Sequence, residues 1–263
     1  MYLALARMAF QRQLTYRAAT FAGLLTNVFF GAIRAAVLVA LFNARGDTQV
    51  AGYTLPAAIT YTGLTQALIG YIALWGWWDV VRNIRTGDVA TDLSRPLDFF
   101  AYWCAQDAGR ALAQMLLRGV PMMLIYALVY PVVWPPTAWH WLALIVSLIF
   151  SWLLSFAWRF LYSLAAFWTQ DAIGFGRFAI FAATFLSGFI MPLAFMPEWM
   201  ITLMRLTPFP ATVNTPIEIY LGITPLAALP FALIEQFTWV IMLIALARLT
   251  LAAGVKKLVI QGG

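Results

Sequence analysis

The chain has 263 residues, 63% of them hydrophobic and only 10% charged, with a formal charge of +6 and a mean hydropathy of +0.85. A soluble domain carries roughly 45–50% apolar and about 25% charged residues, so a single aqueous core could not hide this much apolar surface. The composition excludes a soluble globular domain, and the basic residues lie scattered at the ends of apolar runs, not in a stripe that would bind nucleic acid.

Residues 1–19 read as an N-terminal interfacial helix: Leu3, Phe10 and Leu14 line up against Arg7, Gln11 and Arg12, while Leu5 and Met8 fall off that stripe. Crossing a ~30 Å hydrocarbon core takes about 20 apolar residues in a helix. Six windows satisfy this, at 20–43, 54–77, 112–133, 138–162, 172–195 and 229–251, and predict an all-α polytopic membrane protein. The first is longer than a signal h-region and ends in no A-x-A site, so it is expected to stay as an anchor. In the window 138–162, Ser147, Ser151, Ser155 and Arg159 recur every fourth residue and share one helix face, which should turn toward protein. Gly23, Asn27 and Gly31, and separately Thr184 and Gly188, repeat at the same spacing and are candidate helix-packing positions.

With the N-terminus inside, the cytoplasmic pieces hold Arg7, Arg12, Arg17, Arg82, Arg85, Arg95, Arg110, Arg177, Lys256 and Lys257; the outer pieces hold only Arg45 and Arg205. That bias predicts both termini on the cytoplasmic side of the cytoplasmic (inner) membrane. Residues 78–111 are then the one long cytoplasmic loop. Residues 196–228, proline-rich yet apolar, are an outer segment expected to fold back as short re-entrant helices.

Two intramembrane charges stand out. Arg34 is deep in the first window and the only charge well inside a span on this reading; it either snorkels to the outer headgroups or meets Glu235, which lies near the outer end of the last window at a comparable depth. Catalytic patterns are missing: there is no GxxxxGK[ST], no HExxH, no GxSxG and no metal-ligand cluster, and Gly174 and Gly176 are followed by Ala179 where GxGxxG needs glycine. Cys104 is alone, and the single histidine, His140, between Trp139 and Trp141, reads as a residue of the membrane edge. The chain is expected to be no enzyme by itself.

The long loop reads DVVRNIRTGDVATDLSRPLDFFAYWCAQDAGR. Gly87 suits a helix end needing positive φ and Pro96 a first helical turn, so the two should bracket a turn between a short extension of the second span and a restarted helix. Val89, Leu93 and Leu97 recur every fourth position and would form an apolar contact, while Leu97, Phe99, Phe100, Tyr102 and Trp103 could lie along the interface. Just after the second window, Ile84, Gly87, Val89, Leu93, Arg95, Pro96 and Leu97 follow a pattern of hydrophobic residue, glycine, hydrophobic residue and Leu-x-Arg-Pro-Leu. This resembles the permease subunits of type-2 ABC exporters, in the six-span branch about as long as this chain. Ala90 stands where that pattern has an acidic residue, with Asp92 two positions on. The resemblance implies a pump of two six-span permeases, identical or homologous, and two separate cytoplasmic ATP-binding subunits that carry ATP and Mg²⁺. It also implies that Arg82, Ile84, Arg85, Gly87, Val89, Leu93, Arg95, Pro96 and Leu97 couple to the ATPase, and that the cargo is amphipathic or hydrophobic. The alternative is a secondary transporter or channel working without an ATPase, which would show ionisable residues at mid-membrane.

Overall fold

The structure, a computed structural model, describes residues 1–46 and 48–257; the side chain of Arg45, one of the two outer charges counted above, lies outside the described residues. Helix α1 (Tyr2–Thr15) packs along α6 and leads into α2 (Arg17–Arg45). The face of α1 turned inward holds Leu5, Ala6, Ala9, Phe10 and Gln13, while Leu3 and Leu14 of the expected stripe are exposed. The stripe was therefore misplaced. The reason lies about a hundred residues away: Gly109 on α6 has no side chain, and a Cβ there would sit 1.9 Å from the Ala6 carbonyl oxygen. Only glycine lets the two backbones approach so closely.

A two-residue antiparallel ladder, β1 (Gln49–Val50) with β2 (Tyr53–Thr54), turns the chain into α3 (Leu55–Tyr71), capped by the Thr54 side chain. Helix α3 is the buried centre of the bundle, with eleven of its 17 residues inside. It stops at Tyr71 and does not run to residue 77. The Arg110 guanidinium donates to the carbonyls of Gly70 (2.6 Å) and Tyr71 (3.0 Å), satisfying acceptors that another helical turn would have used. Ala73 and Gly76 then take positive φ and redirect the chain.

Two short helices follow, α4 (Asp79–Thr86) and α5 (Asp88–Ser94), and then α6 (Phe99–Gln114). A π-helical turn at Met115–Gly119 joins α6 to α7 (Val120–Val129), so that Phe99–Val129 is one helical rod of 31 residues. This rod thus begins 13 residues earlier than the window 112–133 suggested. Helix α8 (Ala138–Ser163) continues through a 3₁₀ turn to Phe167. As its spacing predicted, Ser147, Ser151 and Arg159 are buried and Ser155 faces protein.

Helix α9 (Ala172–Leu186) ends well before residue 195, because Gly188 adopts φ +82°. The chain then dips back through a 3₁₀ turn at Leu193–Phe195, α10 (Glu198–Arg205), a second 3₁₀ turn at Pro210–Thr212 and α11 (Asn214–Leu221) before α12 (Leu229–Val255). This segment reaches the middle of α8. The Thr212 carbonyl accepts from the hydroxyl of Ser151, halfway along α8, and the Ala211 carbonyl accepts from Gln236 at 2.7 Å. Irregular backbone survives at such depth only where protein side chains satisfy it. His140 ties the end of this segment down: it is buried, with one ring nitrogen 2.8 Å from the Thr137 hydroxyl and the other 3.2 Å from the Thr224 carbonyl.

Among the described residues, four helical rods are long and apolar enough to cross a membrane by themselves: Arg17–Ala44, Phe99–Val129, Ala138–Phe167 and Leu226–Val255. At 17 and 15 residues, α3 and α9 rise about 26 and 23 Å, short of a ~30 Å core.

Candidate functional site

The segment from Asp79 to Asp98 is a compact elbow at one end of the bundle. Asp79 occupies the first turn of α4 and Arg85 the last, matching the helix dipole at both ends. Gly87 closes α4 in the left-handed region (φ +81°) and begins α5, so a second helix stands where sequence reading placed a loop. Arg95 is extended ahead of Pro96, as a residue before proline prefers. The restart is not at Pro96: α6 begins at Phe99, where the Asp98 carboxylate accepts the Ala101 N–H at 2.7 Å.

The elbow's apolar side turns inward. Val80, Ile84 and Val89 are buried together with Phe99, Phe100 and Trp103 against Phe156, Phe160 and Leu164, and Leu93 packs at the edge of this cluster. Val89 and Leu93 therefore face their own protein, and Phe99, Phe100 and Trp103 are core, not interfacial. The seven-residue helix α5 is too short for spacing alone to say which side its apolar residues meet. Asp92 is the internal brace: its carboxylate accepts from Asn83 Nδ2 (2.7 Å) and pairs with Arg95 (3.0 Å), holding α4, α5 and the turn into Pro96 together. What remains outside is polar: Arg82, Arg85, Gly87, Asp88, Thr91, Arg95 and Pro96 are exposed. Arg82 pairs with Asp79 at 3.6 Å, an exposed contact worth about 0–1 kcal/mol and easily surrendered to another partner.

Below the elbow, charge ties three rods together. Asp107 on α6 is fully buried; Arg159 of α8 grips both its oxygens (3.0 and 2.8 Å), Arg110 Nε donates at 2.6 Å and Trp152 Nε1 at 2.8 Å. Because Arg110 also holds the end of α3, one carboxylate indirectly fixes α3, α6 and α8 in register. At the elbow's exit, Asp98 pairs with Arg248 of α12 (3.1 and 3.3 Å), whose guanidinium lies 5.0 Å over the Phe100 ring. These contacts join α3, α6, α8 and α12.

The reading of Arg34 as the single deep charge is corrected by Arg159 and by Arg118. Arg118 sits in the π turn, donates to Asn27 (3.2 Å) and fills the space beside Gly23. Asn27 in turn donates to the Gln66 carbonyl at 3.0 Å, and Gly31 leaves room for Tyr126 and Met122. The Gly23–Asn27–Gly31 face is thus packed within the chain. Thr184 and Gly188 do not share a helix, since α9 has already ended; Gly188 instead offers its carbonyl to the Tyr61 hydroxyl at 2.7 Å. Within the chain Arg34 does not meet Glu235. It donates to the Phe189 carbonyl at 3.1 Å and lies 4.8 Å over the Phe189 ring, while Glu235 is exposed. The inward residue on that turn of α12 is its neighbour Gln236, one position and about 100° around the helix.

This arrangement of apolar rods, a polar-edged elbow and a braced base was compared with known proteins. The family described as ABC-2 family transporter protein matches residues 30–262, which takes in the later part of α2, the elbow and every helix that follows. The chain belongs to the ABC-2 transporter family. It is a membrane protein and a transport component, and not itself catalytic. No curated protein and no solved structure matches this ABC-2 permease. Within the permease, the elbow residues Ile84 to Leu97 that carry the motif are divided: Ile84 and Val89 build the elbow, and Arg95 and Pro96 lie on its surface.

Proposed function

We propose that this ABC-2 permease is the transmembrane subunit of an ATP-driven exporter. Its elbow docks on a separate ATP-binding subunit, which carries ATP and Mg²⁺, and two permeases, identical or homologous, carry an amphipathic or hydrophobic cargo outward across the cytoplasmic membrane. In this reading α3 and α9 complete six crossings, shortened by the capped end of one and the re-entrant dip after the other, with both termini cytoplasmic. The observation that carries the proposal is the elbow's division of labour. Its apolar residues are spent on holding it to the base of α6 and α8, while Arg82, Arg85, Thr91 and Arg95 are offered outward, as suits a contact whose charges set partner choice and register. The Asp107 tie supports a rigid transmission. A secondary transporter needs ionisable groups free to change state along its path, and this carboxylate is closed by two arginines and a tryptophan.

The test reverses charge on the exposed edge. The full chain carrying Arg82→Glu and Arg85→Glu should still insert and elute as a single species, yet lose at least about tenfold of the co-purified ATP-binding subunit and of ATP-dependent transport, roughly what a 1.4 kcal/mol loss produces. Leu93→Asp is the poorer probe, because it would disrupt the elbow itself. Retention of both the ATPase subunit and transport by the Arg82/Arg85 variant overturns the assignment.

A further inference from the structure

A groove of about 570 Å³ runs between α2, the β hairpin and the turn after α9. Apart from Thr62 its walls are apolar: Val37, Leu38 and Leu41 on α2, and Ile190, Met191 and Pro192 after α9. One cation lines it, Arg34, which is partly buried. Of its five N–H donors, one engages the Phe189 carbonyl, and among the described residues no carboxylate forms an ion pair with it. The contrast with Asp107, closed from every side, is the informative part. Arg34 is an arginine held in position by one hydrogen bond and one ring, with the rest of its fork left open to an apolar trough.

We infer that this groove binds a single-chain amphipathic anion, a carboxylate or phosphate headgroup on Arg34 with its hydrocarbon chain along Val37, Leu38 and Leu41. A planar guanidinium recognises those two oxyanions through paired donors, whereas a neutral hydrophobe leaves it unpaired and a cation is repelled. The volume lies within the ~300–1,000 Å³ of sites that enclose small ligands. The order of the lining residues selects a free single-chain molecule over a bilayer phospholipid. Beyond Arg34 the groove stays apolar through Leu41 to Val50 and Ala51, toward the nearer end of α2, so the headgroup lies deeper than the chain. A leaflet phospholipid presents the reverse order. The assignment rests on the exporter reading for its meaning as a cargo site, but not for its test.

The full-length chain in phosphatidylcholine nanodiscs is titrated with 11-(dansylamino)undecanoate, followed by dansyl emission. Saturable binding is expected, displaced by dodecyl phosphate and not by dodecanol or dodecyltrimethylammonium. Arg34→Gln should weaken it at least about tenfold, the scale of a lost charge-assisted pair. Val37→Trp, which fills the trough and leaves Arg34 in place, should weaken it comparably while both variants elute as the native chain does. Unchanged binding by Arg34→Gln, or displacement by dodecanol as effective as by dodecyl phosphate, overturns the inference. Displacement by phosphatidylglycerol in the disc overturns the single-chain assignment. A disulfide between Val37→Cys chains in membranes would show a second copy covering the groove and also overturns it. Co-purification of the ATP-binding subunit, measured on the same preparations, reports on the exporter reading separately.

Discussion

The elbow (79–98) and the re-entrant dip (187–228) are built from similar parts, short helices joined by a left-handed glycine and prolines, yet they are held by opposite means. The elbow is braced by carboxylates and arginines: Asp92 with Arg95, Asp98 with Arg248, and Asp107 beneath. The dip is stitched largely by neutral side chains to bare carbonyls, Tyr61 to Gly188, Ser151 to Thr212 and Gln236 to Ala211, with Arg34 donating to Phe189 as a charged stitch. Where water is at hand, charged pairs are cheap and can be traded with a partner. Where irregular backbone is buried among apolar rods, each open carbonyl needs a donor, and a neutral donor avoids adding a charge that must itself be paired.

The comparison can be broken hardest at Asp107. Asp107→Ala leaves Arg159 and Arg110 buried without their counter-charge and should cost about 3–5 kcal/mol, seen as loss of the monodisperse protein or a steep fall in melting temperature. At the dip, Gln236→Leu keeps volume but strands the Ala211 carbonyl, and about 1–3 kcal/mol should be lost from the thermal midpoint of the detergent-solubilised chain. Arg248→Ala tests the elbow's half-exposed pair with Asp98, and a change within about 1 kcal/mol is expected, detectable as a small shift that salt suppresses. The smallest effect concerns Glu218 of α11. Burial holds its carboxyl above the usual range, with the Tyr53 hydroxyl 3.3 Å away. A raised carboxyl stabilises the fold below the unfolded pKa, and that stability is lost as pH rises through the folded one. Glu218→Gln should therefore raise the melting temperature at neutral pH and give no gain at pH ~4, near the carboxyl's unperturbed pKa. A gain at both values would remove burial as the cause.

What could be read from the sequence was what short spacing determines. The Ser147–Ser151–Ser155–Arg159 face was legible because four residues at one period mark one side of a helix. The elbow was legible because Gly87 and Pro96 punctuate a polar stretch. What escaped reading depends on distant partners. Asp107 looks like one more cytoplasmic acid until Arg159, 52 residues on, is brought to it. The early end of α3 is written in Arg110, and the inward turn of Val89 in the aromatic residues of α6 and α8. Arg118 lay inside an apolar window, and nothing nearby announced its acceptor, Asn27, which is 91 residues earlier.

The contact between Ala6 and Gly109 also sets an order of events at the ribosome. Helix α1 leaves the exit tunnel before α6, and the surface it rests on is not made until 103 residues later, about 5–20 s at ordinary rates of synthesis. Through that interval α1 lacks the surface of α6 on which it comes to rest. The residues it keeps turned outward after docking include Leu3 at 85% exposure and Met8 at 64%. A side chain at position 109 would turn the delay into a permanent state, leaving a fully synthesised permease whose first helix never comes to rest.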